Sequence, residues 1–192
     1  PQSAARRRLA YDELLAGQLS LALVRSKIRK IPGKPLIGDG MISARLKRAL
    51  PYELTSSQTA ALAEISADLS RSERMLRLLQ GDVGSGKTVV ALLAMAQAAE
   101  AGGQSVLMAP TEVLARQHLK TIFPLAEAAG MRAAILTGNE KGREREEILN
   151  HLASGDIDVL IGTHAVFQDG AIYRSLAFVV IDEQHRFGVQ QR

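Results

Sequence analysis

Gly81, Asp82, Val83, Gly84, Ser85, Gly86, Lys87 and Thr88 fit the pattern G-x-x-x-x-G-K-[ST] at every fixed position. Glycines let a backbone curl so that successive N–H groups point inward, and a helix beginning there adds the positive end of its dipole. Together they make a cradle for triphosphate oxygens. In such a cradle Lys87 would bridge the β- and γ-phosphates and the Thr88 hydroxyl would ligate Mg2+. A second candidate lies further along, where the apolar run Ala177, Phe178, Val179, Val180, Ile181 leads straight into Asp182 and Glu183. A buried parallel strand there would deliver two carboxylates at its C-terminal end, the end at which open α/β sheets bind ligands. This is a Walker B arrangement: Asp182 would hold the Mg2+ of the nucleotide, and Glu183 would position and deprotonate the attacking water.

The chemistry requires elements that hold these groups, and the patterning supplies them. After Pro51, apolar strands alternate with helical segments. Residues 76–80 lead into the glycine turn, and 88–101 read as a helix ended by Gly102 and Gly103. Strands follow at 105–109, 133–136, 159–161 and 178–181, with helices at 113–129, stopped by Gly130, and 143–153. Such alternation predicts an α/β fold, a parallel sheet covered by helices on both faces. Residues 4–29 contain one helix-breaking glycine, and Tyr11, Leu15, Leu19 and Ala22 share one helical face, which predicts a long amphipathic helix. Pro32, Gly33, Pro35, Gly38 and Gly40 mark a connector, placing a boundary near residue 50.

The 192 residues suffice for one domain, with or without an appendage, but not for two. A hydrophobic share of 46% against 23% charged residues excludes collagenous and disordered chains. Zero cysteines exclude disulfides, Cys-based zinc sites and thiol nucleophiles. No apolar run approaches the roughly 18 residues of a membrane span and no signal peptide pattern opens the chain, so no membrane partner and a cytoplasmic location are expected. A start at Pro1 and an end at Arg192 suggest a fragment at both ends. The net charge of +4 is uneven: the first fifty residues hold 11 of the 24 basic residues but only 3 of the 20 acidic ones. Arg6–Arg8, the cluster from Arg25 to Lys30, and Arg45, Lys47 and Arg48 could face a polyanion or form a solvated face. The four histidines lack metal-ligand spacing, and the mixed charges of residues 143–147 read as a solvated helix face.

Asp182, Glu183, Gln184, His185, Arg186, Phe187 and Gly188 resemble motif II of superfamily 2 helicases, in the form used by bacterial RecG and transcription-repair coupling factors. Residues 77–88, 8–15 and 50–55 resemble the RecG-type DNA helicases, and the likeness covers essentially the whole chain. It implies a RecA-like P-loop NTPase fold with ATP and Mg2+ as cofactors. Residues 1–50 would be the basic helical linker from a wedge domain, and 51–192 the incomplete first motor lobe. In the RecA-like fold the strand after Walker B lies between the Walker A and Walker B strands, so a gap in the sheet is expected. The resemblance makes Gln58 the reader of adenine, while Thr55 and Gln58 also have the spacing of a capping box. It makes Pro110, Thr111, Glu112, Thr137, Gly138, Gly162, Thr163 and His164 contacts to the DNA backbone, with Thr111 equally suited to cap a helix. Gln184 and His185 would couple the nucleotide site to DNA. The implied function is the motor lobe of a DNA helicase or translocase that remodels stalled forks and recombination junctions. Forked or branched DNA, a second RecA-like lobe and the wedge domain would be its partners, and turnover by this piece alone is expected to be weak. The alternatives are the motor of a transcription-repair coupling factor, or a non-catalytic nucleotide- or DNA-binding module.

Overall fold

Gln104–Met108 is buried at every residue, and a strand lies on each side of it. In the computed structural model, which describes residues 32–168 and 170–183 with Arg8, Tyr11, Leu15 and Leu19, this strand is β1. The remaining strands are β2 (Ala133–Leu136), β3 (Val159–Gly162) and β4 (Leu176–Ile181). Their order is β2-β3-β1-β4 and every pairing is parallel. Val106 pairs with Leu160 and Val179, and Leu107 with Ile161 and Val180.

Alternation along the strands divides the core into two layers. Leu107, Val159 and Ile161 face Leu92, Leu93, Met95 and Ile122, from α3 (Lys87–Glu100) and α4 (Glu112–Ala129). Val106, Met108, Leu136 and Leu160 face Leu152 of α5 (Gly142–Ser154), together with Ala165 and Val166 of a short 3-10 turn (His164–Phe167). The strands at 133–136, 159–162 and 104–108 and the helices of this region follow the sequence reading to within a residue or two. Gly130 and Gly155 close α4 and α5 in the left-handed conformation. The architecture is the α/β, RecA-like one, with helices on both faces.

Two expectations need correction. Residues 76–80 form no strand. They are held by side chains instead: Met75 and Leu79 pack on Ile65, Leu69 and Val90, and Arg77 binds Asp68 and Glu64. No neighbouring backbone is available to ladder with them, because the outer side of β4 carries no strand among the described residues. The four described strands form one continuous sheet, and because residues 76–80 add no strand to it, the expected gap between two strands is not seen among them. For the same reason β4 is not a buried strand: Val179 and Ile181 remain about 40% exposed.

Packing continues across residue 50, where the sequence places its boundary. Helix α1 (Met41–Ala49) places Leu46, fully buried, in the same cluster as Leu92 and Met95, and Leu36 packs with Ile65 and Val90. Glu100, at the end of α3, accepts from the backbone N–H of Gly40 at 3.0 Å and of Ser43 at 2.8 Å, so a carboxylate from one helix caps the N-terminus of another. Helix α2 (Ser56–Leu69) completes this side. Of the anticipated N-terminal helix, Arg8, Tyr11, Leu15 and Leu19 are helical and exposed; Ala22 and the clusters at 6–7 and 25–30 lie outside the described residues.

Candidate nucleotide site and adjoining loops

The glycine turn between residue 80 and α3 has the backbone its sequence demands. Gly84 and Gly86 stand at φ 81 and 80, a region costly for any residue with a Cβ. At Gly86 a Cβ would also strike the Gln58 amide. Ser85 N–H closes the turn on the Asp82 carbonyl at 3.2 Å. The amides that begin α3, at Lys87 and Thr88, precede any helical acceptor, which leaves them to an anion. The Lys87 ammonium folds back over the turn and donates to the carbonyls of Gly81 at 2.7 Å and Asp82 at 2.8 Å, so two of its three protons are engaged.

Gln58 joins two readings in one side chain. Its Oε1 accepts from Thr55 N–H at 2.9 Å, while Thr55 Oγ1 accepts from Gln58 N–H at 3.2 Å, a complete capping box at the start of α2. Its Nε2 donates to the Ser85 carbonyl at 2.9 Å, tying the cap to the glycine turn. Beside it, Tyr52, Leu54, Thr59 and Leu62 line an open hollow of about 570 Å3 that also touches Lys47, Leu50, Pro51 and Glu53.

At the other flank, Asp182 continues the ladder past β4 by donating its N–H to the Met108 carbonyl at 2.9 Å. Its Oδ2 lies 2.7 Å from His118 Nε2, a ring on α4 that sequence spacing did not single out. The hydrogen bond from His118 holds the Asp182 carboxyl below the ordinary range; partial burial opposes this, and the charges of His118 and Lys87 assist it. Glu183 follows at φ 49, the left-handed region, where a non-glycine residue is strained. Gln184 and His185 lie outside the described residues. The Thr88 hydroxyl and the Asp182 carboxylate are hard oxygen donors of the kind Mg2+ accepts together with phosphate and water, so the residues present fit that ion.

The loops assigned to DNA fall into two groups. Thr111 and His164 are exposed, Pro110 and Glu112 are half-buried, and Gly138 is exposed with open space where a Cβ would lie. Thr111 Oγ1 accepts from Leu114 N–H at 3.3 Å, so it caps α4. Thr137, Gly162 and Thr163 are buried. The Thr137 hydroxyl donates to Glu140 Oε2 at 2.6 Å and accepts from Asn139 N–H at 3.2 Å, leaving it little to offer a phosphate. Gly162 is required by packing, since a Cβ there would collide with the Leu136 carbonyl.

Glu140 and Arg116 were not singled out in the sequence either. Arg116 donates to Glu112 and to Glu140, each at 2.9 Å, locking the 137–140 turn to the first turns of α4. Glu112 and Arg116 stand at i,i+4 in the favourable order, a signal the sequence did carry; the contact to Glu140, 24 residues away, had none.

The DEAD/DEAH box helicase profile matches residues 55–192. The chain belongs to the DEAD/DEAH box helicase family. That match begins at Thr55, the cap of α2, and so takes in the capping box, the glycine turn and the Asp182–Glu183 pair. Among helicases, the chain is 46% identical over 189 residues to the ATP-dependent DNA helicase RecG of Bacillus subtilis (strain 168), covering 98% of this chain and 28% of that protein. It is 43% identical over 191 residues to the RecG of Escherichia coli (strain K12), again covering 28% of that protein. The chain thus spans little more than a quarter of the length of these relatives. A solved structure of RecG bound to a three-way DNA junction superposes with a TM-score of 0.82 at 43% identity, over 96% of this chain and 25% of that one. A hypothetical ATP-dependent RNA helicase from Sulfolobus tokodaii shares the fold, with a TM-score of 0.56 at 19% identity over 77% of this chain and 42% of that one. Among the described residues no helix is long and apolar enough to cross a membrane.

Proposed function

We propose that this chain is the ATP-binding motor lobe of a RecG-type DNA helicase, acting in the cytoplasm on forked or branched duplex DNA. Residues 51–192 form the lobe, with 1–50 linking it to a wedge domain and a second RecA-like lobe acting as its partner. The observation that carries the reading is the packing of α3, which begins at Lys87 in the glycine turn, against β4, which leads into Asp182: Val90 of α3 shares a core cluster with Ala177 and Phe178 of β4, and a triphosphate with its metal needs both ends in one site.

The amides of the glycine turn and of the first turn of α3 bind the phosphates, and Lys87 exchanges a carbonyl partner for a phosphate oxygen. Thr88 and Asp182 hold Mg2+, which when bound neutralises charge developing on the transferred phosphoryl group. Glu183 orients a water and takes its proton as that water attacks. Gln58, already bonded to the turn, recognises adenine beside the hollow lined by Tyr52 and Leu54. Pro110, Thr111, Glu112 and the loops around Gly138 and His164 contact the DNA backbone. Because Thr137 and Thr163 are buried, backbone N–H groups and exposed neighbours supply those contacts. Gln184 and His185 couple the two sites.

The test is ATP hydrolysis by the full-length protein with and without forked duplex. DNA should stimulate turnover. Lys87→Ala and Glu183→Gln should each lower it by about a hundredfold or more, the scale on which removal of a catalytic group is felt. A rate indifferent to DNA, or variants that keep wild-type turnover, would remove the motor reading.

A further inference from the structure

His118 lies seven residues after Thr111 on α4, its side chain only 15% exposed, with Nε2 at 2.7 Å from Asp182 Oδ2. An ionised carboxylate only accepts, so the ring nitrogen carries the proton and donates it. The helix that bears His118 is firmly seated. Ala115, Ile122, Ala126 and Ala129 are buried in the core, Thr111 caps its start, and Arg116 clamps it to Glu140. Asp182 stands just past the end of β4, tied by its backbone N–H to the Met108 carbonyl at 2.9 Å, and its side chain is held by the ring of His118.

We propose that His118 is a positioning residue for nucleotide-bound metal: by holding Oδ2 from a rigid helix it leaves Oδ1 of Asp182 presented for Mg2+. This rests on the reading of Asp182 as the metal-binding carboxylate. Hydrogen bonds to a ligating carboxylate fix its orientation, and losing such a partner typically weakens metal affinity by about 10- to 100-fold.

The experiment is a Mg2+ titration of fluorescent ATP-analogue binding by the full-length protein, read at equilibrium rather than as turnover. His118→Ala should raise the Mg2+ concentration for half-maximal binding by about 10-fold or more. His118→Gln, whose amide N–H can reach the same oxygen, should restore most of it. Binding in EDTA should be the same for all three. In an Asp182→Asn background, His118→Ala should have no further effect on the Mg2+ requirement, since no metal-binding carboxylate is left for the ring to orient. Should the alanine variant fail to fold, His118→Phe keeps ring volume without a donor and is read in the same way. An unchanged or lowered Mg2+ requirement overturns the proposal, as does an equal loss with and without Mg2+ that glutamine does not repair, which would mark His118 as packing alone. A wild-type protein whose nucleotide binding ignores Mg2+ would instead overturn the role of Asp182, and this inference with it.

Discussion

At the scale of single residues, the buried polar groups divide sharply by whether they are satisfied. Ser105 is buried in β1 and its hydroxyl has no hydrogen-bond partner, so the folded state bears its desolvation without return. Ser105→Ala should therefore stabilise the protein by about 1 kcal/mol, seen as a higher urea midpoint; a loss of stability would mean that the hydroxyl is bonded after all. Glu140 is the opposite case. Burial works against its charge, yet the bonds from the Thr137 hydroxyl and backbone and from Arg116 outweigh it and hold its pKa below the usual range. A pKa lower in the folded than in the unfolded state gives stability that is complete above the unfolded value, about 4.3, and lost as pH falls through the folded one. Urea midpoints should accordingly drop on acidification below about pH 4, and Glu140→Gln should start lower at neutral pH and fall less steeply. Parallel curves for the two proteins would contradict the assignment.

At the scale of elements, the molecule is stitched by side chains that cross between them. Gln104 is the clearest: Nε2 donates to the carbonyls of Leu152 at 3.0 Å and Ile157 at 2.9 Å, and Oε1 accepts from Ser175 N–H at 3.1 Å. One amide thus binds the end of α5, the turn before β3 and the approach to β4. Gln104→Ala removes all three bonds, leaving the Leu152 carbonyl only its bond from Gly155 N–H, and should cost about 2–3 kcal/mol, with hydrogen exchange accelerating first at the ends of α5 and β4. Exchange that rises evenly across the molecule would argue against so local a role. Cross-element ties of this kind explain what sequence patterning left unread. Strand and helix periodicity made β1, β2, β3, α3, α4 and α5 legible, because each buries a face of regular period. Helix α1 begins after Gly40, with Asp39 Oδ1 accepting from Met41 N–H at 3.0 Å, and takes its other cap from Glu100, 60 residues away, which no local pattern can reveal. Residues 76–80 have the apolar content of a strand, but a strand exists only where another backbone pairs with it.

At the scale of the whole molecule, the candidate site is assembled by topology from segments about 100 residues apart. The glycine turn was legible because its chemistry is local: left-handed glycines, a lysine and a hydroxyl within eight positions. Asp182 and Glu183 were legible as the polar end of an apolar run. His118 was not, since only the packing of α4 against the sheet brings it to Asp182. The same packing places the exposed Thr111 and the 137–140 turn on the helix that touches the carboxylate, giving the expected DNA-facing loops and the nucleotide site a shared support.

The most direct test of a single Mg-nucleotide site spanning Lys87 and Asp182 is calorimetric titration of a non-hydrolysable ATP analogue into the full-length protein, with Mg2+ and with EDTA. Binding should be tighter with Mg2+. Lys87→Ala should weaken it under both conditions, and Asp182→Asn should abolish the Mg2+ enhancement alone. Wild-type protein that binds no nucleotide, or an Asp182→Asn variant with its Mg2+ enhancement intact, would contradict the mechanism at its centre.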